Sequence, residues 1–461
     1  MCGPGAAQER YRGQMHQTKY NEGWIRQMIV VAGLGLLGCG GGGGTTPDAA
    51  VPALDAAVPT PDAPVQTVHK ALYYIGDNQA GVTELLELPL GATTPTVIYG
   101  NAGQDPSAPL MVANKLYFTL RTHVTNSAKV WVFDPTAPLA ANVNPHEAFA
   151  INATGVDDAP YYLVENAGKL YFTAISNGPP HHTYVYDPAL AVGSNNPKKM
   201  FDQGALFPVF AAGKMIFRAT GTGVGEELFA FDLAAPASAT NPAVFDLLPG
   251  PQSSQPRDLA VLGTKVYFGA DNELYVYDPV APASLTNPAK VMATNNSGAS
   301  SLTAFGDKLY YEGSPNYSAT GSELMVYDPA IATSITNPKL VEMLPGMNGA
   351  SPAFMRGVGT KVAMSAYRPD VGRELFVFNP AAPLSASNPE LIDILAGAAD
   401  SDPRSLVADG NTAYFTVNVA NTGTFLVAYD STMPTNVTVN PRSIYMTPGQ
   451  AYYFHIGSYL K

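Results

Sequence analysis

The feature that most constrains this 461-residue chain is its self-similarity. One unit runs Pro256-Arg-Asp-Leu-Ala-Val-Leu-Gly263, Lys265-Val-Tyr-Phe-Gly-Ala270, Glu273-Leu-Tyr-Val-Tyr-Asp-Pro279 and Asn287-Pro-Ala-Lys-Val-Met292, four short segments labelled here strands A, B, C and D. Strand B recurs as Leu72-Tyr-Tyr-Ile75, Lys115-Leu-Tyr-Phe118, Lys169-Leu-Tyr-Phe172, Lys214-Met-Ile-Phe217, Lys265-Val-Tyr-Phe268, Lys308-Leu-Tyr-Tyr311, Lys361-Val-Ala-Met364 and Ala413-Tyr-Phe415, which makes eight copies. Strand C closes on an anchor residue at Pro89, Asp134, Asp187, Asp232, Asp278, Asp328, Asn379 and Asp430, at spacings of 45, 53, 45, 46, 50, 51 and 51. A period of that length belongs to solenoids and propellers. Helical periodicity is absent from the body, which excludes stacked helix pairs.

The side chains of strand C say how the units pack. Phe133, Tyr186, Phe231, Tyr277, Tyr327, Phe378 and Tyr429 precede the anchor, with Trp131, Tyr184, Phe229, Tyr275 and Phe376 two places further back. The alternate positions carry Leu228, Leu274, Leu324 and Leu375 with Val132, Val185, Val276, Val326 and Val377. Successive strand residues point to opposite faces, so this strand is apolar on both sides. A sheet with one wet face would alternate apolar and polar. Each sheet is therefore expected between two neighbours, as in an all-β single propeller of eight four-stranded blades, with seven blades as the alternative. Unit one begins at strand B, and a ninth strand-like stretch, Ala451-Tyr-Tyr-Phe-His-Ile456, lies at the end of the chain. That stretch is expected to complete blade one and close the ring over residues 68–461. The 43 Gly and 40 Pro residues then serve as turn punctuation between many short strands.

Units such as Glu323-Leu-Met-Val-Tyr-Asp-Pro329, Leu340-Val-Glu-Met-Leu-Pro-Gly346, Ala350-Ser-Pro352 and Gly359-Thr-Lys-Val362 resemble the bacterial repeats named for Glu-Leu-Trp-x-x-Asp-Gly-Thr, found in extracellular β-propeller proteins. The likeness covers about residues 70–455. It departs where Asp-Gly-Thr becomes Asp-Pro followed by an insertion ending in Asn-Pro, and the tryptophan survives only as Trp131. The resemblance implies a fold and carries little chemistry.

The N-terminal region reads as an address. Arg10, Arg12, Lys19 and Arg26 precede an uncharged run, Met28-Ile-Val-Val-Ala-Gly-Leu-Gly-Leu-Leu-Gly38, with the length of a signal-peptide core and too short to span a bilayer. Leu36-Leu37-Gly38-Cys39 resembles the lipobox of bacterial lipoproteins, which implies that residues 1–38 are a signal peptide and that Cys39 carries lipid. Leu37 departs from the small residue usual there, and Met15 is an alternative start. Residues 39–67, five glycines and then an Ala/Pro/Asp/Val-rich stretch, have a tether's composition. Gly40 stands where an Asp would retain a lipoprotein at the inner membrane of enteric bacteria, which favours the outer membrane or surface of a Gram-negative cell.

The net charge is −12, and removal of residues 1–38, with four basic and two acidic side chains, makes it −14. That balance disfavours nucleic acid, whose phosphates require Lys and Arg. The two cysteines, Cys2 and Cys39, build neither a disulfide framework nor a paired-cysteine metal site.

In alternating strands, A–B and C–D connections share one end of the ring and B–C and D–A connections the other. The C–D loops repeat one Asp-Pro…Asn-Pro frame, read as turn chemistry with a repeated calcium contact as the alternative. The other end varies, and its candidate binding residues are Arg121, His123, Asp157, Asp158, His181, Arg257, Tyr317, Arg368, Asp370, Arg373, Asp400, Asp402 and Arg404. HExxH, GxSxG, Walker-type and complete EF-hand patterns are absent, so no catalytic or metal-ligating residues are assigned and no cofactor is expected. The glutamates that open strand C (Glu84, Glu227, Glu273, Glu323, Glu374) recur with the repeat and are read as structural, bonding to loop backbone or a neighbouring blade. The expected function is a lipid-anchored envelope module that binds a protein, a polysaccharide or a small ligand. The rival is a lyase or hydrolase of extracellular polysaccharide working through Asp157, Asp400 and Asp402.

Overall fold

The computed structural model describes residues 67–460, apart from 126, 152–158, 176–179, 285, 292–297, 316, 335, 421, 437, 438 and 448. The signal, Cys39, the tether, Asp157 and Asp158 lie outside the described residues.

Eight four-stranded antiparallel sheets form the body. Blade 5 is typical, with strand A at Arg257–Leu262, B at Lys265–Ala270, C at Glu273–Tyr277 and D at Ala289–Lys290, hydrogen-bonded in that order. Blade 1 takes strands B, C and D from Val68–Asp77, Thr83–Pro89 and Thr96–Gly100, and its strand A is the C-terminal Ala451–Leu460. The ring is thus closed by pairing its last strand with its first, as expected from the two incomplete ends. Pairing runs from Val68↔Leu460 to Gly76↔Ala451. The inner strands of blades 2 to 8 are Gln104–Val112, Tyr161–Asn166, Leu206–Ala211, Arg257–Leu262, Ser300–Phe305, Ala353–Val358 and Arg404–Asp409, and each touches the next around the axis.

Eight apolar clusters fill the eight gaps between blades. Between blades 7 and 8, Leu375, Val377 and Ile392 meet Leu406, Phe415 and Val417. Strand C of blade 7 is buried on both faces from Glu374 to Phe378, which is what its unbroken apolar pattern requires. One polar contact adds to the seam between blades 1 and 2: His455 Nε2 accepts the Met111 backbone N–H at 3.1 Å, which places the ring proton on Nδ1. Burial pulls this imidazole down to about 4, so it is neutral near pH 7.

The C–D frames are turn devices. In blades 2 to 8 an asparagine before a cis proline (Asn144, Asn196, Asn241, Asn287, Asn337, Asn388, Asn440) turns inward across its loop. Asn287 Oδ1 accepts the Asp278 N–H at 2.8 Å, and its Nδ2 donates to the carbonyls of Asp278, Ala281 and Pro282 at 2.9, 3.2 and 3.1 Å. The anchor residue in turn accepts the N–H two places on, as Asp278 does from Val280 at 3.0 Å. This use of both side chains accounts for the repeated frame. Among the described residues no three His, Cys, Asp or Glu side chains gather as metal ligands.

Deleting residues 447–461 removes the inner strand of blade 1 and exposes the apolar faces of blades 1, 2 and 8. The melting temperature is expected to fall by more than about 10 °C in a thermal melt followed by circular dichroism. An unchanged melt contradicts closure by this strand.

Candidate ligand-binding face

The end of the ring carrying the B–C and D–A loops is built on a device that the sequence does not advertise. In every blade the A–B pairing slips near the start of strand A. The slip leaves one residue in left-handed backbone: Ala108, Tyr162, Phe207, Asp258, Ser301, Phe354, Ser405 and Tyr453, with φ between 50° and 57°. None is glycine, so the strained conformation is held by surrounding packing rather than by local freedom. Two contacts among them bridge neighbouring blades. The Tyr162 and Phe207 rings meet edge to face at 4.6 Å, and Asp258 Oδ2 accepts the Ser301 N–H at 2.5 Å. These eight residues ring the axis near the variable end.

Three of the recurrent glutamates fix the D–A loops that form this end. Glu227, Glu323 and Glu374 are fully buried. Each takes backbone N–H groups 20 and 27 residues downstream: Leu247 and Ser254 for Glu227, Met343 and Ala350 for Glu323, Ile394 and Ser401 for Glu374. The identical offsets explain why Glu, a Leu-x-Gly turn and a Ser-x-Pro or Ala-x-Pro step recur together in this sequence. Small residues opposite them on strand B (Ala219, Gly313 and Ala366) leave room for the carboxylates. Burial pushes Glu323 and Glu374 up to about 7, against the pull of the N–H donors. The reading of these glutamates as loop-bonding side chains holds for all three. Glu84 instead accepts Asn78 Nδ2 at 2.7 Å, and Glu273 faces Lys290 at 3.8 Å.

The sequence-derived candidates fall into separate groups on this face. Arg373, Asp400, Asp402 and Arg404 come together where blades 7 and 8 meet. Asp400 accepts the Arg373 N–H at 2.6 Å, the Arg373 guanidinium reaches the carbonyls of Ser351 and Ser365 at 3.1 and 3.4 Å, and Arg404 Nε donates to Asp402 at 2.7 Å. The rival reading needs Asp400 and Asp402 as working carboxylates, but here they serve a backbone amide and a guanidinium. Arg368 clamps Asp370 through two bonds of 2.7 and 3.0 Å on an exposed hairpin, which holds the Asp370 carboxyl below its ordinary range. His123 pairs with Asp105 at 2.7 Å on blade 2, near Arg121 at the end of strand B. His181 opens strand C of blade 3 with its ring edge-on to Tyr161 at 5.4 Å, and burial lowers its pKa. Tyr317 starts a one-turn helix, Tyr317–Thr320, in the B–C loop of blade 6. Six candidates expected in loops belong to strands instead, His181 as the first residue of strand C in blade 3 and Arg368 as the last of strand B in blade 7 among them. Arg257 and Arg404 are the first residues of inner strands, while Arg121 and Arg373 lie within strands B and C. The slip near the start of strand A lets pairing begin one or two residues earlier than the apolar pattern does.

Sequence reasoning missed a polar group on blades 4 to 6. Arg218 is paired with Glu226, and Ser300 Oγ donates to Glu312 at 2.8 Å. Arg257 extends toward Gly298, whose lack of a side chain makes space for the guanidinium. Burial lowers the Arg257 pKa, with Asp258 and Glu312 opposing the effect and Arg218 adding to it. Glu226 is the first residue of strand C in blade 4 and Glu312 the last but one of strand B in blade 6, positions that repeat only weakly, so no motif marks them.

No protein-family model matches this chain, and no curated protein sequence matches it. Among solved structures, it is similar to a chain from a structural and mechanistic study of two prolyl endopeptidases, at 12% identity and a TM-score of 0.46, covering 76% of this chain and 49% of that one. It is also similar to a puromycin-hydrolyzing peptidase of Mycobacterium tuberculosis, at 13% identity and a TM-score of 0.47, covering 77% and 58%. Apo AztD of Citrobacter koseri matches at 12% identity and a TM-score of 0.46, covering 85% of this chain and 99% of that one. The chain spans about half the length of the first peptidase. These likenesses concern the fold alone.

Glu374→Gln places an N–H2 against N–H donors inside a sealed loop. It is expected to cost about 2–4 kcal/mol in urea unfolding, while Asp307→Asn at an exposed turn stays within about 0.5 kcal/mol. Equal effects of the two changes contradict the loop-fixing role.

Proposed function

We propose that this chain is a non-catalytic binding module of the cell envelope, held by lipid on Cys39, that takes a protein or polysaccharide ligand on the B–C/D–A end of the ring. The observation that carries the reading is the contrast between the two ends. Seven C–D loops are locked by one repeated asparagine arrangement, whereas the opposite end differs from blade to blade and presents charged pairs and aromatic rings around the axis. A rigid ring with one variable end is how repeat scaffolds present binding loops. The Glu-Leu…Leu-Pro-Gly…Ser-Pro likeness to extracellular repeat proteins supports the same setting, and the lipobox-like Leu36–Cys39 supports the anchor.

The test is capture of envelope proteins and of arrayed glycans by the full-length chain. Arg368→Ala with Asp370→Ala, an exposed pair whose loss leaves the fold intact, is expected to weaken capture about tenfold, and Thr286→Ala at the opposite end to leave it unchanged. Capture insensitive to the first change, or turnover of a captured glycan, overturns the reading. Fatty-acid label is expected on the wild-type chain and absent from Cys39→Ser, and label that persists in the variant refutes the anchor.

A further inference from the structure

The end opposite the proposed ligand face has its own chemistry. Between the anchor of strand C and the Asn-Pro step, the seven long C–D loops (135–143, 188–195, 233–240, 279–286, 329–336, 380–387 and 431–439) hold 58 residues and not one Asp, Glu, Lys or Arg. At the chain's 13% charged residues, about seven or eight would be expected there. Exposed apolar side chains concentrate at the same end. Of the 17 large ones among the described residues, 11 lie in these loops or at the adjoining strand termini, including Leu139, Leu190, Val192, Ile331 and Leu384. Three lie near the B–C/D–A end (Val124, Met347 and Tyr367) and three on outer strands (Val97, Val244 and Met446).

Charge at this end is close to balance, with the acidic side chains of the A–B turns included: Lys70 meets Asp409 at 2.7 Å and Lys308 meets Asp307 at 3.3 Å. Four of the lysines that open strand B face anchor aspartates, as in Lys169–Asp187 at 3.0 Å and Lys308–Asp328 at 2.7 Å. Just outside the loops, the first residues of the outer strands include exposed Lys198, Lys339 and Arg442, while the acidic residues there, Glu147 and Glu390, are half-buried and engaged by Lys129 and Thr435. The chain as a whole carries −12. An uncharged, apolar-studded rim flanked by basic groups on an otherwise acidic body is what an anionic lipid surface accepts.

The chain also enters the ring here. Strand B of blade 1 begins at Val68, beside Leu460 at the A–B and C–D end, so the residues leading from Cys39 join the body on this side. We infer that the C–D end is a bilayer-facing surface. Its apolar loop tips rest among lipid headgroups, its outer-strand basic residues meet anionic ones, and the variable end is turned away from the membrane toward ligand. The inference rests on the Cys39 anchor only for what brings the bilayer within reach, since the loops and charges lie in the ring itself. A second copy stacked on the same rim is the competing occupant, and it leaves the basic flank and the entry point of the tether without a role.

The ring has no cysteine and the chain's two, Cys2 and Cys39, precede it, so a single label can be placed on the ring of a full-length chain carrying Cys2→Ser and Cys39→Ser. An environment-sensitive dye at Leu190→Cys or Ile331→Cys, and at Tyr367→Cys on the opposite end, is measured on vesicles of phosphatidylcholine and phosphatidylglycerol containing brominated lipid. Quenching at positions 190 and 331 is expected to exceed that at 367 by at least about threefold, and Leu139→Asp with Leu384→Asp to reduce it by about fivefold or more. Equal quenching at the two ends, or more at 367, overturns the inference. So does energy transfer between labelled copies that is the same with and without lipid, which identifies a paired rim. Intact mass reports acylation of Cys39 separately, and Cys39→Ser chains added to the same vesicles read the docking surface whether or not the anchor exists.

Discussion

The rest of this structure depends on an amide folded back across a loop. In seven of eight blades a single asparagine side chain accepts the last N–H of strand C and donates to carbonyls across the C–D turn, and six of the seven are at most 8% exposed. Each loop thereby supplies its own hydrogen-bond partners, the anchor side chain accepting the N–H two places on and the asparagine spanning the rest. One end of the ring is consequently uniform, and the loop segments between anchor and Asn-Pro carry no charged side chain. Variation is left to the other end, where buried glutamates tie down the D–A loops from inside and the loop surfaces are free to differ.

Blade construction explains why these loops can be so alike while their neighbours differ. Every sheet is apolar on both faces and is stable only between two others, so the repeat is set by packing and the ring has to close on itself. Closure by Ala451–Leu460 supplies the inner strand of blade 1 and covers the apolar seams that blade 1 shares with blades 8 and 2. It also fixes where the N-terminal segment departs, because strand B of blade 1 starts at the C–D end. Topology, loop composition and exposed apolar side chains therefore support the proposed orientation, with lipid on one side of the ring and ligand on the other.

Much of this was legible in the sequence because it is periodic. The anchors from Pro89 to Asp430 counted the blades, the aromatic positions of strand C announced two buried faces, and the missing first strand A pointed to the C-terminus. The glutamates could be read as structural because they repeat, and their 20- and 27-residue offsets to Leu247, Ser254 and their counterparts are visible once the partners are known. The inner-strand bulges were hidden for a physical reason. Ala108, Tyr162, Asp258 and Ser405 share a left-handed backbone but no chemistry, since that geometry is imposed by neighbouring blades and not by glycine. The candidate site was legible only as loops. Which charges are joined, as Arg373 with Asp400 or Arg218 with Glu226, depends on contacts across blades that no local spacing encodes.

Amide hydrogen exchange tests the division between a locked end and a variable end most directly. The N–H groups of Asp134, Asp187, Asp232, Asp278, Asp328, Asn379 and Asp430 lie at loop mouths, yet each is bonded to an asparagine side chain. They are expected to exchange about a hundredfold or more slowly than exposed amides of the B–C loops, and with similar protection in all seven blades. Exchange at those seven positions as fast as in the B–C loops would contradict the account.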